Sequence, residues 1–292
     1  MPSVTPSSDA VRDAPADLDA QTLRAQGPQG PLLDHPTLTG SEGPYTGVPR
    51  GWHVTEYREA GEISFLWRAG GESHRTHKTP VVPDDSVALD EAGRRERSAA
   101  ESARRARSRL RRYCVGNGLD HLWTLTYAPE FLPDDEDGVW ADIERFRKKL
   151  HEGLGRLVPL AAVIERGSES GRLHVHVLVR GRIRIEVMRK AWAKGFVQVE
   201  APPKRPGMSK RERLRVTARY LTKYVGKEFD HGRPNRKRYS VTTGFQPVRR
   251  WTFGGHELVP AIRDALDGRR IVHWWQSDED WPGPPVVCVR LE

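Results

Sequence analysis

One short segment constrains the fold of this chain more than any other, because it predicts a β-hairpin with an unusual polar face. PLAAVIERG (159–167) and RLHVHVLVRG (172–181) are rich in β-forming residues, and only the four residues SESG separate them. Alternate side chains of a strand lie on opposite faces, so His174 and His176 share one face and the intervening valines lie on the other. The hairpin therefore has one apolar face and one face with two imidazoles.

The segments around this hairpin alternate between strand and helix patterns. Strands are predicted at 121–127 and 196–201, and helices at 139–154, 185–195 and 209–229. Gly195 is expected to end the second helix, and Ser209 with Glu212 three residues later forms a capping box for the third. The order β-α-β-β-α-β-α predicts an α+β fold with a ferredoxin-like or RRM-like central antiparallel sheet and helices on one face.

The rest of the chain divides by composition. Residues 1–48 are rich in Pro, Gly, Ser and Asp and are expected to form a disordered tail. The predicted domains after it are a hairpin and Arg-rich helix at 49–118, the core at 119–230, and a C-terminal extension at 231–292 that packs on the core. Within the first of these, 52–69 predicts the hairpin, 74–86 a loop and 88–116 the helix.

The charge of the chain indicates a polyanionic partner. The formal net charge is +9 and the pI about 9.7, although residues 1–50 contain six acids and only three arginines. Greater solubility is the alternative role of this charge. No apolar run approaches the roughly 18 residues that span a bilayer, and the N-terminus lacks a secretory pattern, so a cytoplasmic protein without a membrane partner is expected. The two cysteines form no CxxC zinc pattern.

The polar face of the hairpin has the donors of a metal site. Glu165 precedes His174 by nine residues across the turn, so it can face both histidines from the partner strand. Two imidazoles and a carboxylate suit Mg²⁺ or Mn²⁺ and would also accept zinc. Glu169, in the turn itself, is a competing candidate. A pair of alternate histidines alone is weak evidence, because polar residues also occupy the wet face of a strand.

The last predicted helix of the core has a second constellation. Tyr220 and Tyr224 are four residues apart, so their rings lie on one side of the helix. Lys223 and Lys227 each follow a tyrosine by three residues. A nearby lysine favours the phenolate form and can hold a phosphate. The alternative, that both tyrosines only pack beside the sheet, stays open at this point.

Taken in order, HLWTLTY, GRLHVHVLV and YLTKYVGK resemble the three motifs of the HUH endonucleases. The chain looks most like rolling-circle replication initiators of the two-tyrosine type, from single-stranded-DNA phages and plasmids. RYSVTTGFQPVRRW is similar to a stretch of actinobacterial plasmid initiators. The chain differs from many relatives because it contains neither a GxxxxGK[ST] loop of a helicase nor a Cys-rich zinc module.

The resemblance implies a DNA-nicking mechanism. His174, His176 and Glu165 would hold one Mg²⁺ or Mn²⁺ ion, and Tyr220 or Tyr224 would attack the scissile phosphate. The products would be a 5′-phosphotyrosine and a free 3′-hydroxyl that primes synthesis, and the second tyrosine would serve the later rejoining. Lys223 and Lys227 would assist this chemistry. Single-stranded origin DNA would be the substrate, with the host replication helicase and polymerase as partners.

Basic residues around the last helix are expected to neutralise DNA phosphates. They are Lys210, Arg211, Arg213, Arg215, Arg219, Arg236, Lys237 and Arg238. Trp123, Trp192 and Tyr239 are candidate stacking platforms for unpaired bases, although each of them also fits a position in the core.

Three alternatives remain open at the level of sequence. A relaxase or single-strand transposase of the same superfamily is one, although relaxases usually place the tyrosine before the histidines. A non-catalytic RRM-like nucleic-acid-binding protein is another, but it predicts aromatic residues where the histidines stand. The third is a decayed initiator that binds an origin without cutting it.

Overall fold

The computed structural model of the protein describes residues 47–72, 91–167, 173–200, 205–225, 237–279, 281 and 283–292. The strands are β1 (Gly47–Val48), β2 (Gly51–Tyr57), β3 (Glu62–Arg68), β4 (Gly71–Glu72), β5 (His121–Tyr127), β6 (Leu160–Arg166), β7 (Leu173–Val179), β8 (Gly195–Glu200), β9 (Ser240–Val241), β10 (Arg250–Gly255), β11 (Ile271–Gln276) and β12 (Val286–Leu291). The helices are α1 (Glu91–Gly116), α2 (Glu136–Leu154), α3 (Ile185–Trp192), α4 (Lys210–Thr222) and α5 (Leu258–Leu266), with a short 3₁₀ helix at Pro129–Phe131.

These elements form two compact units. One unit contains a five-stranded sheet of order β8-β5-β7-β6-β9 with helices α1 to α4. The other contains a sheet of order β10-β2-β3-β12-β11, the small β1–β4 sheet and helix α5. All strand pairs with a described register are antiparallel. The α+β class predicted from the sequence is therefore confirmed.

The sheet of the first unit is covered by helices on both faces. Trp123, Leu125, Val175 and Val177 pack on one face with α2 and α3. Leu122, Ala161, Val163 and Leu178 pack on the opposite face with α1 and α4. The prediction of helices on one face only was wrong, because α4, the last helix of the β-α-β-β-α-β-α segment, packs on the face opposite α2 and α3, where α1 joins it.

The second unit combines two distant parts of the chain. The hairpin of β2 and β3 pairs with β10 and β12 near the C-terminus, and α5 packs its buried Ala261 and Ile262 against Trp52 and Phe65. The predicted domains, with boundaries at 49, 119 and 231, are each one continuous segment of the chain. The observed unit instead combines separate segments. Those boundaries stay a prediction.

The strands and helices that the sequence predicts are present, and the main differences among them concern helix ends. The remaining elements, β1, β4, β9 to β12 and α5, had no individual prediction. Helix α3 ends at Trp192, and Ala193 adopts the left-handed conformation (φ 49°) that Gly195 was expected to supply. Helix α4 begins as predicted, because the Glu212 amide donates to Ser209 Oγ at 3.2 Å. It ends at Thr222, well before residue 229.

Several predictions concern residues outside the described ranges. They are the loop at 74–86, the turn at 168–171 and nearly all of the tail at 1–48. Among the helices in the described part of the chain, none has both the length and the apolar composition that crossing a membrane requires.

Gly195 joins α3 to the edge strand β8 at a point where two backbones nearly touch. Its φ is +144°, and a Cβ atom there would lie 2.3 Å from the Thr126 carbonyl oxygen and 2.5 Å from the Ala128 nitrogen. Both of these are backbone atoms that no rotamer change can move. A glycine is therefore required for β8 to pair with β5.

We expect Gly195→Ala to lower the free energy of unfolding by at least about 3 kcal/mol, because the new methyl group collides with backbone. Gly181→Ala is the matched control, since Gly181 also has a positive φ (+72°) but nothing within 4 Å of an added Cβ. That control should cost only about 1–2 kcal/mol. Urea unfolding followed by circular dichroism measures both values, and equal losses would contradict this account of Gly195.

Candidate active site

Three adjacent strands place polar side chains in two rows on one face of the sheet. In β7, His176 pairs with Thr124 of β5, and His174 pairs with Thr126 of β5 and with Glu165 of β6. Residues paired across antiparallel strands lie on the same face. The register therefore brings two threonines, two histidines and one glutamate together, and it places Glu165 opposite the histidines as the hairpin pattern predicts.

Hydrogen bonds orient both imidazole rings. The Thr124 hydroxyl lies 3.1 Å from His176 Nδ1, and the Thr126 hydroxyl lies 3.0 Å from His174 Nδ1. On the other side of its ring, His176 Nε2 lies 2.6 Å from Glu165 Oε2. A partner at Nδ1 fixes the ring and directs Nε2 elsewhere, an arrangement typical of histidines that bind metals. No role was predicted for the alternating threonines of HLWTLTY, although their periodicity is visible in the sequence.

Glu165 and His176 are residue types that bind metal ions, but the pair supplies two ligands and not three. Across the described residues, no group of three or more His, Cys, Asp or Glu side chains is arranged to hold a metal ion. His174 lies two residues before His176 on the same face of β7. It pairs with Glu165 across the strands and is half-buried. The two imidazoles and one carboxylate are the donors that Mg²⁺ or Mn²⁺ would need. The competing Glu169 lies outside the described residues.

The two tyrosines lie directly over this pair. The Tyr224 ring stacks on the His176 ring with centroids 4.5 Å apart and an interplanar angle of 12°. The Tyr220 ring meets Tyr224 edge-on at 5.6 Å and His176 at 6.3 Å. Lys223 Nζ lies 5.8 Å from the Tyr220 centroid and 5.7 Å from the Tyr224 centroid. The hairpin constellation and the tyrosine constellation therefore form one cluster.

The end of α4 makes the two tyrosines unequal. Tyr220 lies in the last helical turn and is 39% exposed, whereas Tyr224 follows the helix and is 6% exposed. The Tyr224 amide donates to Leu221 O at 3.2 Å and the Val225 amide to Thr222 O at 3.1 Å, so the chain tightens into i to i−3 hydrogen bonds. The tighter turn carries Tyr224 inward over the sheet. The helix predicted over 209–229 includes both tyrosines, whereas the observed helix ends at Thr222, before Tyr224.

Burial dominates the electrostatics of Tyr224. Loss of water raises the pKa of its phenol well above the ordinary value, and the hydrogen bond to Tyr220 and the negative charges of Glu165 and Glu200 raise it further. From the sequence, the nearby lysine is expected to favour the phenolate. In the structure the neutral phenol is favoured, because Lys223 is exposed and the desolvated ring faces a carboxylate.

The predicted DNA-contacting residues differ in what they contact. Lys210 and Arg219 are exposed along α4, while Arg211, Arg213, Arg215 and Arg238 are half-buried. Arg213 donates to the Met208 carbonyl at 3.1 Å. Lys237 lies 3.3 Å from a carboxylate oxygen of Glu144 and 4.9 Å from the Trp140 centroid, so it is held against α2. Lys227 and Arg236 lie outside the described residues.

Two of the three candidate stacking platforms belong to the core. Trp123 and Trp192 are buried on the face that packs against α2 and α3, opposite the histidines, so neither can receive a base. Tyr239 is partly buried against the other face, and burial raises the pKa of its phenol. The apolar surface of Trp123 and Trp192 therefore stabilises the core, which is the alternative role that the sequence left open for these residues.

Part of the chain matches the model of a known protein family. The family model of the Replication-associated protein ORF2/G2P matches residues 120–229, the segment from β5 through α4. The rows of the sheet and both tyrosines lie within it. No curated protein and no solved structure matches the chain.

The unequal burial of the two tyrosines has a measurable consequence. Tyr224→Ala should lower the free energy of unfolding by about 3 kcal/mol, because it empties the space over His176. Tyr220→Ala should cost clearly less, because 39% of Tyr220 is already exposed to solvent. Chemical denaturation of the two variants and the unsubstituted protein measures the difference, and equal losses would contradict the described position of Tyr224.

Proposed function

We propose that this protein is a replication initiator that nicks single-stranded origin DNA of a plasmid or phage, as an HUH endonuclease of the two-tyrosine type. A tyrosine attacks the scissile phosphate and forms a 5′-phosphotyrosine, and the strand is later rejoined for rolling-circle replication. The observation that carries this proposal is the stacking of Tyr224 on His176, whose ring is hydrogen-bonded to Glu165. The match to a replication-associated family supports the same function.

His176, Glu165 and His174 are the proposed ligands of one Mg²⁺ or Mn²⁺ ion. His176 Nε2 and Glu165 Oε2 are 2.6 Å apart and share a proton in a hydrogen bond, so both atoms are directed at the same point, where an ion would replace that proton. His174 lies beside them in register. When bound, such an ion stabilises charge that develops on the oxygens of a phosphate. Thr124 and Thr126 hold the two rings through Nδ1, so they act as positioning residues.

The tyrosines supply the nucleophile. The phenolic oxygen forms a bond to phosphorus, the bond from phosphorus to the 3′ oxygen breaks, and the departing 3′ oxygen takes up a proton in place of the one that the phenol loses. The new ester retains the energy of the broken bond, so rejoining requires no nucleotide cofactor. Lys223, within 6 Å of both ring centroids, places a positive charge beside the transferred phosphate, and Lys227 is proposed to do the same.

The order of the motifs and the position of the tyrosines favour this function over the alternatives. Both tyrosines follow the histidines in the chain, unlike the usual order in relaxases. A non-catalytic RRM-like protein would present its central strand to unpaired bases, but here Tyr224 covers His176, which is 5% exposed. Covalent chemistry distinguishes an active initiator from a decayed one.

Incubation with single-stranded origin DNA and Mn²⁺ should produce a covalent protein–DNA adduct that survives a denaturing gel. EDTA, His176→Ala and the double variant Tyr220→Phe/Tyr224→Phe should each abolish it, because they remove the ion, a ligand or both nucleophiles. Failure of the unsubstituted protein to form an adduct with any divalent metal would refute the nicking proposal.

The single variants Tyr220→Phe and Tyr224→Phe determine which nucleophile acts. Each phenylalanine keeps the ring packing and removes only the hydroxyl. If both tyrosines act, each single variant should retain a reduced amount of adduct. Complete loss in one single variant, with full yield in the other, would make this a one-tyrosine enzyme.

Thr124→Val tests the positioning role of the threonine hydroxyls. The substitution keeps the shape of the side chain but removes the partner of His176 Nδ1, so affinity for Mn²⁺ should fall about 10- to 100-fold. Thr124→Ser restores a hydroxyl and should restore most of the affinity. Electron paramagnetic resonance of Mn²⁺ measures binding without reference to cleavage, and unchanged affinity in Thr124→Val would exclude the role.

A further inference from the structure

The edge strand β8 extends the rows of the candidate active site by one more strand. Phe196 pairs with Thr126, which pairs with His174, which pairs with Glu165. These four residues, on β8, β5, β7 and β6, therefore lie in one line on one face of the sheet. Phe196 is two strands from His174, which corresponds to about 10 Å between their Cα atoms.

Phe196 is exposed to an extent that packing does not explain. At 75% exposure it is the most exposed large apolar side chain in the part of the chain that the structure describes. Its neighbour Val197 is buried on the opposite face, so β8 is anchored through that face and needs no aromatic ring on this one. Burying a phenylalanine ring is worth about 1.5–3 kcal/mol, and the fold forgoes most of it at this position.

We propose that Phe196 is a stacking platform for an unpaired base of the DNA strand whose phosphate occupies the Glu165–His176 site. The inference rests on the proposed function, because it takes the ligand to be single-stranded DNA. Consider a DNA strand that runs across the sheet from Glu165 to Phe196. It places a base, close in sequence to the scissile phosphate, against the Phe196 ring. Aromatic side chains bind unpaired bases through their flat faces and with little preference for sequence.

The surroundings of Phe196 favour a nucleic acid over an apolar partner. Gln198 and Glu200, the next residues of β8 on this face, are polar and exposed, so along this strand the ring has no apolar neighbour on its face. An apolar partner would need a contiguous apolar patch, whereas one base needs one ring. Exposed Lys223 and Arg219 belong to the helix end that borders the same site, and they supply charge complementary to a phosphate backbone.

Fluorescence anisotropy with a labelled single-stranded oligonucleotide of mixed sequence, in EDTA, tests the proposal without cleavage. Phe196→Ala should weaken binding about tenfold, the loss expected when one stacked base loses its platform. Phe196→Trp should bind at least as well as the unsubstituted protein, because the larger ring still stacks. Binding to the matching duplex should change little in either variant, because paired bases cannot reach the ring.

Two matched controls separate stacking from general surface effects. Val199→Ala shortens an exposed side chain on the same strand but on the opposite face, and Phe131→Ala removes an exposed phenylalanine from the 3₁₀ helix, outside the sheet. Neither should weaken binding. The proposal is overturned if Phe196→Ala binds single strands normally, loses as much affinity for duplex, or loses no more than Phe131→Ala.

The outcome for Phe196 is independent of the outcome for nicking. If the unsubstituted protein forms the tyrosine adduct and Phe196→Ala binds normally, the stacking proposal is wrong and the nicking proposal stands. If no adduct forms with any metal but Phe196→Ala loses single-strand affinity selectively, nicking is refuted and the platform is supported. Because the ring is in solvent, the variant should unfold at the same denaturant concentration as the unsubstituted protein.

Discussion

The antiparallel register of β5, β7 and β6 is the constraint on which the candidate site depends. Backbone hydrogen bonds between these strands, and not contacts among the polar side chains, set Thr124 beside His176 and Glu165 opposite His174. A slip of one residue would turn His176 to the other face. The apolar residues prevent such a slip, because Val175 and Val177 are fully buried on the opposite face.

The end of the sheet nearest the site is held by a buried charge. Asp142 of α2 accepts a hydrogen bond from the Tyr127 hydroxyl at 3.2 Å. Its carboxylate also forms ion pairs with Lys194, at 3.1 Å, and with Arg145. These contacts tie α2 to the last residue of β5 and to the turn that leads into β8. The buried carboxylate has cationic partners, as a buried charge requires, and its position supports the rows of the site from the opposite face.

Local patterns in the sequence predicted β5 to β8 accurately because each of these strands has a periodicity of its own. β5 has the predicted bounds, and Glu165 faces the histidines because one short turn determines the pairing. The end of α4 was not predictable in this way. Residues 209–225 contain no glycine or proline that would end a helix, and the tight turn at Tyr224 forms where Leu221 and Val225 are drawn into the core.

Which helices cover the sheet face that carries the histidines could also be learned only from the tertiary structure. The Arg-rich segment that forms α1 has a strong helical pattern, but no local feature indicates which face of which sheet it covers. The same holds for the second unit, where β2 and β3 pair with β10 and β12, which lie far later in the chain. Trp123 and Trp192 illustrate the limit, since an aromatic residue serves equally well in a core and as a platform until its burial is known.

The amino-acid sequence by itself determined the elements and the chemistry of this protein: the α+β class, the imidazole pair, the opposing carboxylate and the tyrosines with their lysine. Only the tertiary structure determined that Tyr224 is buried against His176 while Tyr220 stays exposed, and that Phe196 continues the row at the sheet edge. The physical reason is that periodicity and turn length are local properties of the chain, whereas burial depends on which distant segments pack together.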